Sequence, residues 1–486
     1  MTERQLWTPR EWQPPAVGHI RDNPRSALFM TMGGGKGGCT LTGLYDALLT
    51  EDLLPALALG PKRVAENVWP KEVGKWQHLS DWNCVSLVGD ERHRLRAVKY
   101  DSPFYSINYE QLPWLFKHWG EKNWPYKTII CDESTKLKNF RGSAQVSSKG
   151  KEFVRASTGV RAGALSKVVH TPRVKRIHLL TGTPSPNGLQ DLWSQIWFLD
   201  KGERLGRTFE GFSQRWFRPN HNGFGIAPLP HAADEIQDKI RDLCLTIDVA
   251  DYLDLKGPIV NNIYVQLPPA AMKLYREMEK EMFTRLEDER TVEAFGAAAK
   301  TQKCLQLANG AVYVDPLTES DNDSRSREWR PVHDAKLAAL DSVIEESGGA
   351  KMMVVYAFRS DLARILKAYP KQAVDLGTTA GFKAFLKGNA TVGLCHPDSL
   401  GHGVDGLQEV CNTITHFGHG WNLETYLQVN ARVGEIRQIQ SGYDRPVYVN
   451  HIIAEGTVDE LVIERRDTKR EVQDILMDAL KRWGAQ

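Results

Sequence analysis

A short glycine-rich segment with one lysine lies near the start of the chain, directly after an apolar run. The run at 27–30 reads Ala-Leu-Phe-Met, and residues 33–38 read Gly-Gly-Gly-Lys-Gly-Gly. A glycine loop between a strand and a helix presents backbone N–H groups and a positive helix end to phosphates, and its lysine reaches the terminal ones. We therefore predict a phosphate-binding loop made by Gly33, Gly34, Gly35, Lys36, Gly37 and Gly38.

An acidic pair follows a second apolar run. Asp132 and Glu133 come directly after residues 128–131, Thr-Ile-Ile-Cys. An Asp-Glu pair at the end of a strand can hold Mg²⁺ and orient the attacking water, which predicts a metal ligand in Asp132 and a water-orienting residue in Glu133. The loop and the pair together indicate a site that hydrolyses a nucleoside triphosphate.

One position in the loop departs from this pattern. The residue after the lysine is normally Ser or Thr, whose hydroxyl binds the metal, and here it is Gly37. Thr40, one helical turn later, is expected to face away from that place. We therefore expect weaker magnesium binding and a weak ATPase with a high magnesium requirement, which Gly37→Thr should restore.

Length and composition limit the class of protein. At 486 residues the chain exceeds one ordinary core, so two domains of roughly 200–250 residues are expected. No apolar stretch approaches the ~20 residues that a membrane span needs. The seven cysteines are odd in number and never spaced as C-x-x-C, which indicates reduced thiols. We expect a monomeric cytoplasmic protein that makes no membrane contact.

The stretch 136–176 is strongly basic. It contains eleven Lys and Arg residues against one acid, Glu152, and it is rich in Gly and Ser, so much of it should be loop. A solvated face is the ordinary explanation, but the chain as a whole has a formal net charge of only +2. We therefore predict contact with a polyanion, with Lys149, Lys151 and Arg155 as candidates.

Short apolar runs alternate with longer helical patterns in both halves of the chain, which predicts parallel sheets covered by helices. The middle differs, because apolar residues recur there at three- and four-residue steps. We predict an α/β fold with two parallel-sheet domains in tandem, 1–200 and 336–486, separated by a helical insertion at 201–335.

Other segments with candidate functional residues lie before and after the glycine loop and the acidic pair in the sequence. Gln13 lies upstream, where its amide could recognise adenine by paired hydrogen bonds, and Lys62 and Arg63 follow a strand and could meet a backbone phosphate. The remaining segments are Thr181-Gly182-Thr183-Pro184 with Asn187, the glycine-rich turn 401–408, residues 421–424 (Trp-Asn-Leu-Glu), and Gln428 with Arg432.

Together these segments resemble superfamily-two helicases of the Swi/Snf-like branch, most closely the compact versions encoded by bacteriophages. The resemblance runs from about residue 6 to about residue 481. It implies two RecA-like domains with ATP and Mg²⁺ in the cleft between them, and a location in the host cytoplasm. The first domain then supplies Lys36, Asp132 and Glu133, and the second supplies arginines to the γ-phosphate.

The resemblance also implies roles for residues outside the loop. Thr181 and Thr183 would couple the nucleotide state to the nucleic-acid groove. Arg432 matches the first arginine of the family, but Glu435 stands where the second is usual, so we predict Arg437 in its place. The turn that contains Gly403 and Asp405 is expected to contact nucleic-acid backbone and nucleotide, although a plain turn is the alternative.

The predicted function is therefore an ATP-dependent translocase or helicase that moves on or remodels duplex DNA without sequence preference. Two alternatives stay open from the sequence. One is a nucleic-acid-binding homologue in which the altered loop has lost turnover, and the other is an RNA helicase.

Overall fold

The computed structural model describes residues 3–146, 152–158, 160–219, 226–288, 302–314, 328–400 and 406–468. The described residues form two compact units, one up to Asp254 and one from Leu255 to Thr468. Each unit is built around a parallel β-sheet, so the predicted α/β fold with two RecA-like parallel-sheet domains is confirmed. The predicted boundaries at residues 200 and 335 stay predictions. None of the described helices has the length and apolar character to cross a membrane.

The first unit contains eleven described strands. They are β1 Arg25–Met30, β2 Ala56–Gly60, β3 Cys84–Ser86, β4 Phe104–Asn108, β5 Thr128–Asp132, β6 Arg141–Val146, β7 Glu152–Thr158, β8 Arg176–Thr181, β9 Phe217–Pro219, β10 Ile226–Pro228 and β11 Cys244–Ile247. Seven of them form one sheet in the order β11-β1-β8-β5-β2-β4-β3, and every neighbouring pair in it is parallel.

Helices connect these strands. They are α1 Gln13–Asp22, α2 Lys36–Ala47, α3 Trp69–Lys75, α4 Glu91–Ala97, α5 Leu112–Trp119, α6 Val160–Ser166, α7 Gln190–Asp200, α8 Phe209–Trp216 and α9 Ala232–Ile240. Short turns of other helical type lie at Val64–Val68 (π) and at Gln77–Leu79, Tyr109–Gln111, Ser134–Leu137 and Val249–Tyr252 (3₁₀).

The sequence accounts for the central strands of this sheet. In β1, β2 and β5 nearly every residue is buried, because both faces of a parallel sheet are covered and each strand needs a continuous apolar run. Helix α1 begins with two prolines in its first turn, where the missing N–H groups have no intrahelical partner to lose.

The basic stretch contains more regular structure than its composition predicts. Strands β6 and β7 pair antiparallel, with a register shift between Arg141 and Gly142, and α6 follows them. We predicted loop for much of this stretch, and at β6, β7 and α6 the chain is regular instead. Glycine and serine lower strand propensity, but Val, Phe and Thr in β7 favour an extended chain.

The second unit contains eight described strands. They are β12 Ile259–Val265, β13 Ala311–Tyr313, β14 Trp329–Pro331, β15 Met352–Val355, β16 Ala373–Asp375, β17 Val392–Cys395, β18 Thr413–His416 and β19 Tyr448–Ala454. Six form a parallel sheet in the order β12-β19-β18-β15-β17-β16. The outermost strand on one side of this sheet, β12, pairs with β19, the last of the described strands.

The helices of the second unit follow the same alternation. They are α10 Pro269–Asp288, α11 (302–309), α12 Ala335–Glu346, α13 Arg359–Ala368, α14 Thr379–Lys387, α15 Pro397–Leu400, α16 Leu407–Val410, α17 Leu423–Asn430, α18 Glu435–Gln440 and α19 (458–468). The amphipathic pattern of the middle of the chain thus forms α10 and α11.

A buried ion pair holds the core of the second unit together. Lys336 at the start of α12 and Asp459 in α19 are both fully buried, and their Nζ and Oδ2 atoms are 2.5 Å apart. The ammonium also donates to Asn309 Oδ1 at 2.8 Å and to the Phe417 carbonyl at 3.1 Å. The pair therefore joins α12 to α19, two helices that are far apart in the sequence.

We expect Lys336→Met to lower the free energy of unfolding by about 3–5 kcal/mol, because it leaves the Asp459 carboxylate buried without its cation. Denaturant unfolding measures this. Lys383→Met is the matched control, since Lys383 is exposed on α14, and it should change stability by less than about 0.5 kcal/mol. Equal stability of the two variants would contradict a paired charge at Lys336.

Candidate functional site

The predicted site residues of the first unit follow neighbouring strands at one edge of the sheet. Strands β1, β8, β5 and β2 are adjacent and parallel, so the loops at their carboxyl ends meet. The register pairs Phe29 with Thr181 and Asp132 with Leu180. The glycine loop, the Thr181–Thr183 segment and the acidic pair are thereby brought together, and Lys62 and Arg63 follow the next strand.

The glycine loop leaves no room for a side chain at Gly34 or Gly35. Gly33 and Gly35 have φ angles of +87° and +92°, in the left-handed region that favours glycine. A Cβ on Gly34 would lie 2.6 Å from the side chain of Met30, and one on Gly35 would lie 2.4 Å from Gln13 Nε2. Helix α2 begins immediately afterwards at Lys36 with no side-chain cap, so its first N–H groups face the loop.

Two residues donate hydrogen bonds to the glycine loop: Trp12, just before α1, and Gln13, the first residue of α1. The Trp12 indole donates to the Gly34 carbonyl at 2.9 Å, and Gln13 Nε2 donates to the same oxygen at 3.1 Å. Gln13 Oε1 accepts from the backbone N–H of Arg10 at 2.9 Å. Both ends of the Gln13 amide therefore bond to backbone here, and adenine recognition by Gln13 stays a prediction. Sequence reasoning assigned no role to Trp12.

The lysine and the aspartate interact electrostatically. Lys36 Nζ donates to the Met30 carbonyl at 2.9 Å, at the end of β1. Asp132 ends β5, and the Tyr109 hydroxyl donates to its backbone carbonyl at 3.0 Å. Packing around the half-buried Asp132 carboxyl raises its pKa to about 6, and the Lys36 ammonium opposes part of that rise. A divalent cation would favour the ionised carboxylate further.

Glu133 has an unusual backbone conformation. Its φ of 56° and ψ of 57° place it in the left-handed region, which only one other described non-glycine residue, Lys201, also occupies. For a residue with a side chain this conformation costs roughly 1–2 kcal/mol, and such strain concentrates at functional positions. The conformation turns the chain sharply between Asp132 and the 3₁₀ turn that begins at Ser134.

A buried hydrogen-bond chain joins the acidic pair to the Thr181–Thr183 segment. The Ser134 hydroxyl donates to Gln195 Oε1 at 2.7 Å, and Gln195 Nε2 donates to the Pro184 carbonyl at 2.6 Å. Thr181 Oγ1 accepts from the Thr183 N–H at 3.1 Å, and the buried Thr183 hydroxyl has no hydrogen-bond partner among the described residues. Sequence reasoning missed Gln195, because a glutamine in the middle of a helix belongs to no motif.

The remaining predicted residues lie elsewhere or outside the described parts of the chain. Arg432 lies in the turn between α17 and α18, and Arg437 lies in α18. Arg155 lies in β7. Lys149, Lys151, Gly403 and Asp405 lie outside the described residues.

The residues present fit a nucleoside triphosphate with Mg²⁺. Close backbone approach to phosphates requires a loop without side chains, which the contacts at Gly34 and Gly35 enforce. Lys36 supplies a cation and Asp132 an oxygen ligand of the kind Mg²⁺ prefers. Phosphates would contact 33–38, and the metal would contact Asp132.

Two tandem RecA-like sheets, with a glycine-lysine loop and an acidic pair at one edge of the first, define the class of protein. No protein-family model matches the chain. It is 42% identical over 484 residues to putative protein p41 of Acyrthosiphon pisum secondary endosymbiont phage 1, which covers 98% of this chain and 100% of that protein. The chain belongs to the family of that phage protein.

Curated relatives of lower identity also match the chain. The DNA repair and recombination protein RAD54-like of Drosophila persimilis is 24% identical over 477 residues, which is 87% of this chain. The chain spans only 56% of that relative's length. A solved structure, the Sulfolobus solfataricus SWI2/SNF2 ATPase core in complex with dsDNA, matches 98% of this chain and 95% of its own chain, with 20% identity and a TM-score of 0.43.

Proposed function

We propose that the protein is a DNA-stimulated ATPase that moves along or remodels duplex DNA in the host cytoplasm. One observation carries the proposal. The glycine-lysine loop, the acidic pair and the Thr181–Thr183 segment follow three adjacent parallel strands, in the first unit of a chain whose distant relative is a DNA repair protein. An open parallel sheet binds ligands at the carboxyl ends of its strands.

In this proposal, Lys36 acts on the charge of the phosphates and Glu133 acts on the proton of the attacking water. Lys36 contacts the terminal phosphates and stabilises the charge that develops on them. Glu133 orients the attacking water and takes up its proton. Mg²⁺, when bound, neutralises phosphate charge, and Asp132 holds it. The left-handed turn at Glu133 sets where its side chain leaves the backbone.

The coupling between nucleotide and nucleic acid uses a different set of residues. The chain Ser134–Gln195–Pro184 connects the residue after Glu133 to the threonine segment, so a shift of the acidic pair is transmitted to Thr181 and Thr183. Arg432 and Arg437 of the second unit are proposed to act on the γ-phosphate, as the family resemblance implies. Lys62, Arg63, Gly403 and Asp405 are proposed nucleic-acid contacts on the same basis.

An ATPase assay with duplex DNA, single-stranded DNA, RNA or no nucleic acid tests the proposal. We expect turnover to rise most with duplex DNA and to fall about 10²–10³-fold in Lys36→Ala, because one preorganised charge at the phosphates is lost. Equal turnover in Lys36→Ala and wild type would reject the assignment of the nucleotide site to this loop. Stimulation by RNA alone would favour the RNA helicase alternative.

The basic stretch 136–176 predicts a salt-dependent affinity for DNA. Each neutralised phosphate contributes a slope near −0.9 to the plot of log affinity against log salt. Charge reversal of Lys149, Lys151 and Arg155 to Glu should therefore reduce the slope measured by fluorescence anisotropy on duplex DNA. Charge reversal of the exposed Lys367, Lys371 and Lys383 is the control and should leave it unchanged. An affinity indifferent to salt in the wild type would refute a phosphate contact.

A further inference from the structure

The chain before α1 is attached to two other parts of the first unit. Gln5 makes two backbone hydrogen bonds to the end of α3 and the turn that follows it, at 2.7 and 2.9 Å. The Arg4 guanidinium donates to four backbone carbonyls within residues 73–82. A few residues later, Trp12 and Gln13 donate to the glycine loop. The segment between these attachments is therefore held against both the loop and the region after α3.

Trp7 lies between the two attachments and packs against the first turn of α2. A Cβ on Gly38 would lie 2.5 Å from Cζ3 and 2.8 Å from Cη2 of the Trp7 ring. Carbon atoms in good van der Waals contact are about 3.5–4.0 Å apart, so the two groups could not both occupy these places. The indole thus fills the space that a side chain at position 38 would need.

Other rings hold the Trp7 indole in this place. The Trp76 ring packs edge-on against it, with ring centroids 4.7 Å apart and an angle of 90° between the planes, which is a favourable arrangement for an aromatic pair. The His78 ring lies 6.2 Å away, and its Nε2 is hydrogen-bonded at 3.1 Å to Thr42 Oγ1, one turn further along α2. Trp7 therefore cannot move away from α2 without losing these contacts.

The first turn of α2 needs such support from outside. Gly37 and Gly38 leave this turn without side chains of its own to pack, and glycine has a low helix propensity because its backbone loses the most freedom on ordering. The N–H groups at a helix start bind phosphates only when the turn is formed. A ring packed against this turn restricts its backbone.

We propose that Trp7 is a positioning residue that holds the first turn of α2 in the conformation that binds the phosphates of the nucleotide. This inference rests on the proposed nucleotide site and adds to it a residue from outside the glycine loop. Trp7 itself touches the helix and not the phosphates, so its loss should weaken nucleotide binding by loss of preorganisation.

Equilibrium binding of ADP with Mg²⁺, measured by calorimetry, tests this inference without turnover. We expect Trp7→Ala to bind ADP about tenfold more weakly than wild type, which corresponds to about 1.4 kcal/mol. Trp7→Phe keeps an aromatic ring beside Trp76 but is too short to reach Gly38, so its affinity should fall as well, and it serves if Trp7→Ala does not fold. Trp114→Ala removes another partly buried tryptophan of the first unit, in α5, and should bind ADP as wild type does.

Gly38→Ala tests the same contact from the other side. In wild type its Cβ displaces the Trp7 ring, so we expect weaker ADP binding and a lower midpoint of thermal unfolding. In the Trp7→Ala background the same change should raise the midpoint, since alanine favours the helix, and should not weaken ADP binding further. Glu72 Oε1, 3.1 Å from that Cβ, ends a flexible side chain and can move aside.

Gly74→Ala in α3 is the matched control, because a Cβ there meets no atom within 4 Å. It should have the same effect in both backgrounds. Equal ADP affinity of Trp7→Ala, Trp7→Phe and wild type, or equal effects of Gly38→Ala in both backgrounds, would overturn the role of Trp7. Either result leaves ADP binding by wild type intact. If wild type itself bound no ADP, the proposed function would fall, and this inference with it.

Discussion

Glu133→Gln is expected to slow ATP turnover by about 10²–10⁴-fold, the range for removal of a general base. The amide keeps the size and shape of the side chain, and Gln meets the same left-handed backbone as Glu, so the turn after β5 is preserved. An amide cannot take up the proton of the attacking water. ATP should therefore still bind. Steady-state turnover and equilibrium nucleotide binding, measured on the same preparation, separate the two effects.

The exposed Glu121 provides the matched control. Glu121→Gln removes the same charge from the surface of the first unit and should leave turnover unchanged. If Glu133→Gln lost nucleotide binding as well as hydrolysis, a structural role in the turn would explain the result better than proton transfer.

Arg432→Ala should lower turnover by about 10³–10⁵-fold with little change in ATP binding, because an arginine that acts on the γ-phosphate mainly stabilises the transition state. Arg432 lies in the short turn between α17 and α18, which fixes its backbone at a helix end. Single-turnover hydrolysis, with binding measured separately, gives the size of the effect.

Arg437→Ala tests the displaced second arginine in the same assay. The exposed Arg330 in β14 is the control, and Arg330→Ala should match wild type. Wild-type turnover in Arg437→Ala would leave Arg432 as the single acting arginine of the two, whereas wild-type turnover in Arg432→Ala would reject its assignment.

The strands of the fold could be predicted because parallel sheets need continuous apolar runs. Residues 56–59, 177–180, 352–355 and 413–415 stand out in the sequence for this reason, and all lie in strands. The position of the site at the carboxyl ends of the strands of the first sheet could also be predicted, since the glycine loop and the acidic pair come directly after such runs. Within the stretch 136–176, β6 and β7 were not predicted, because composition alone does not show which residues pair with each other.

The parts of the site that depend on contacts between distant segments could not be read from the sequence. Trp12 and Gln195 belong to no motif, and only folding places them beside the glycine loop and the acidic pair. The left-handed backbone of Glu133 is equally invisible, because Glu has no preference for it.

The pairing of β12 with β19 has a consequence for synthesis on the ribosome. Every strand of the first sheet has been made once residue 247 is complete, but the second sheet waits for its final strand, which ends at Ala454. At bacterial or eukaryotic elongation rates this interval is roughly 10–40 s. During that time Lys336 has no Asp459 to pair with, and β12 lacks β19, the strand with which it pairs. Nascent chains stalled before residue 448 should therefore contain a folded first unit and a protease-sensitive second one.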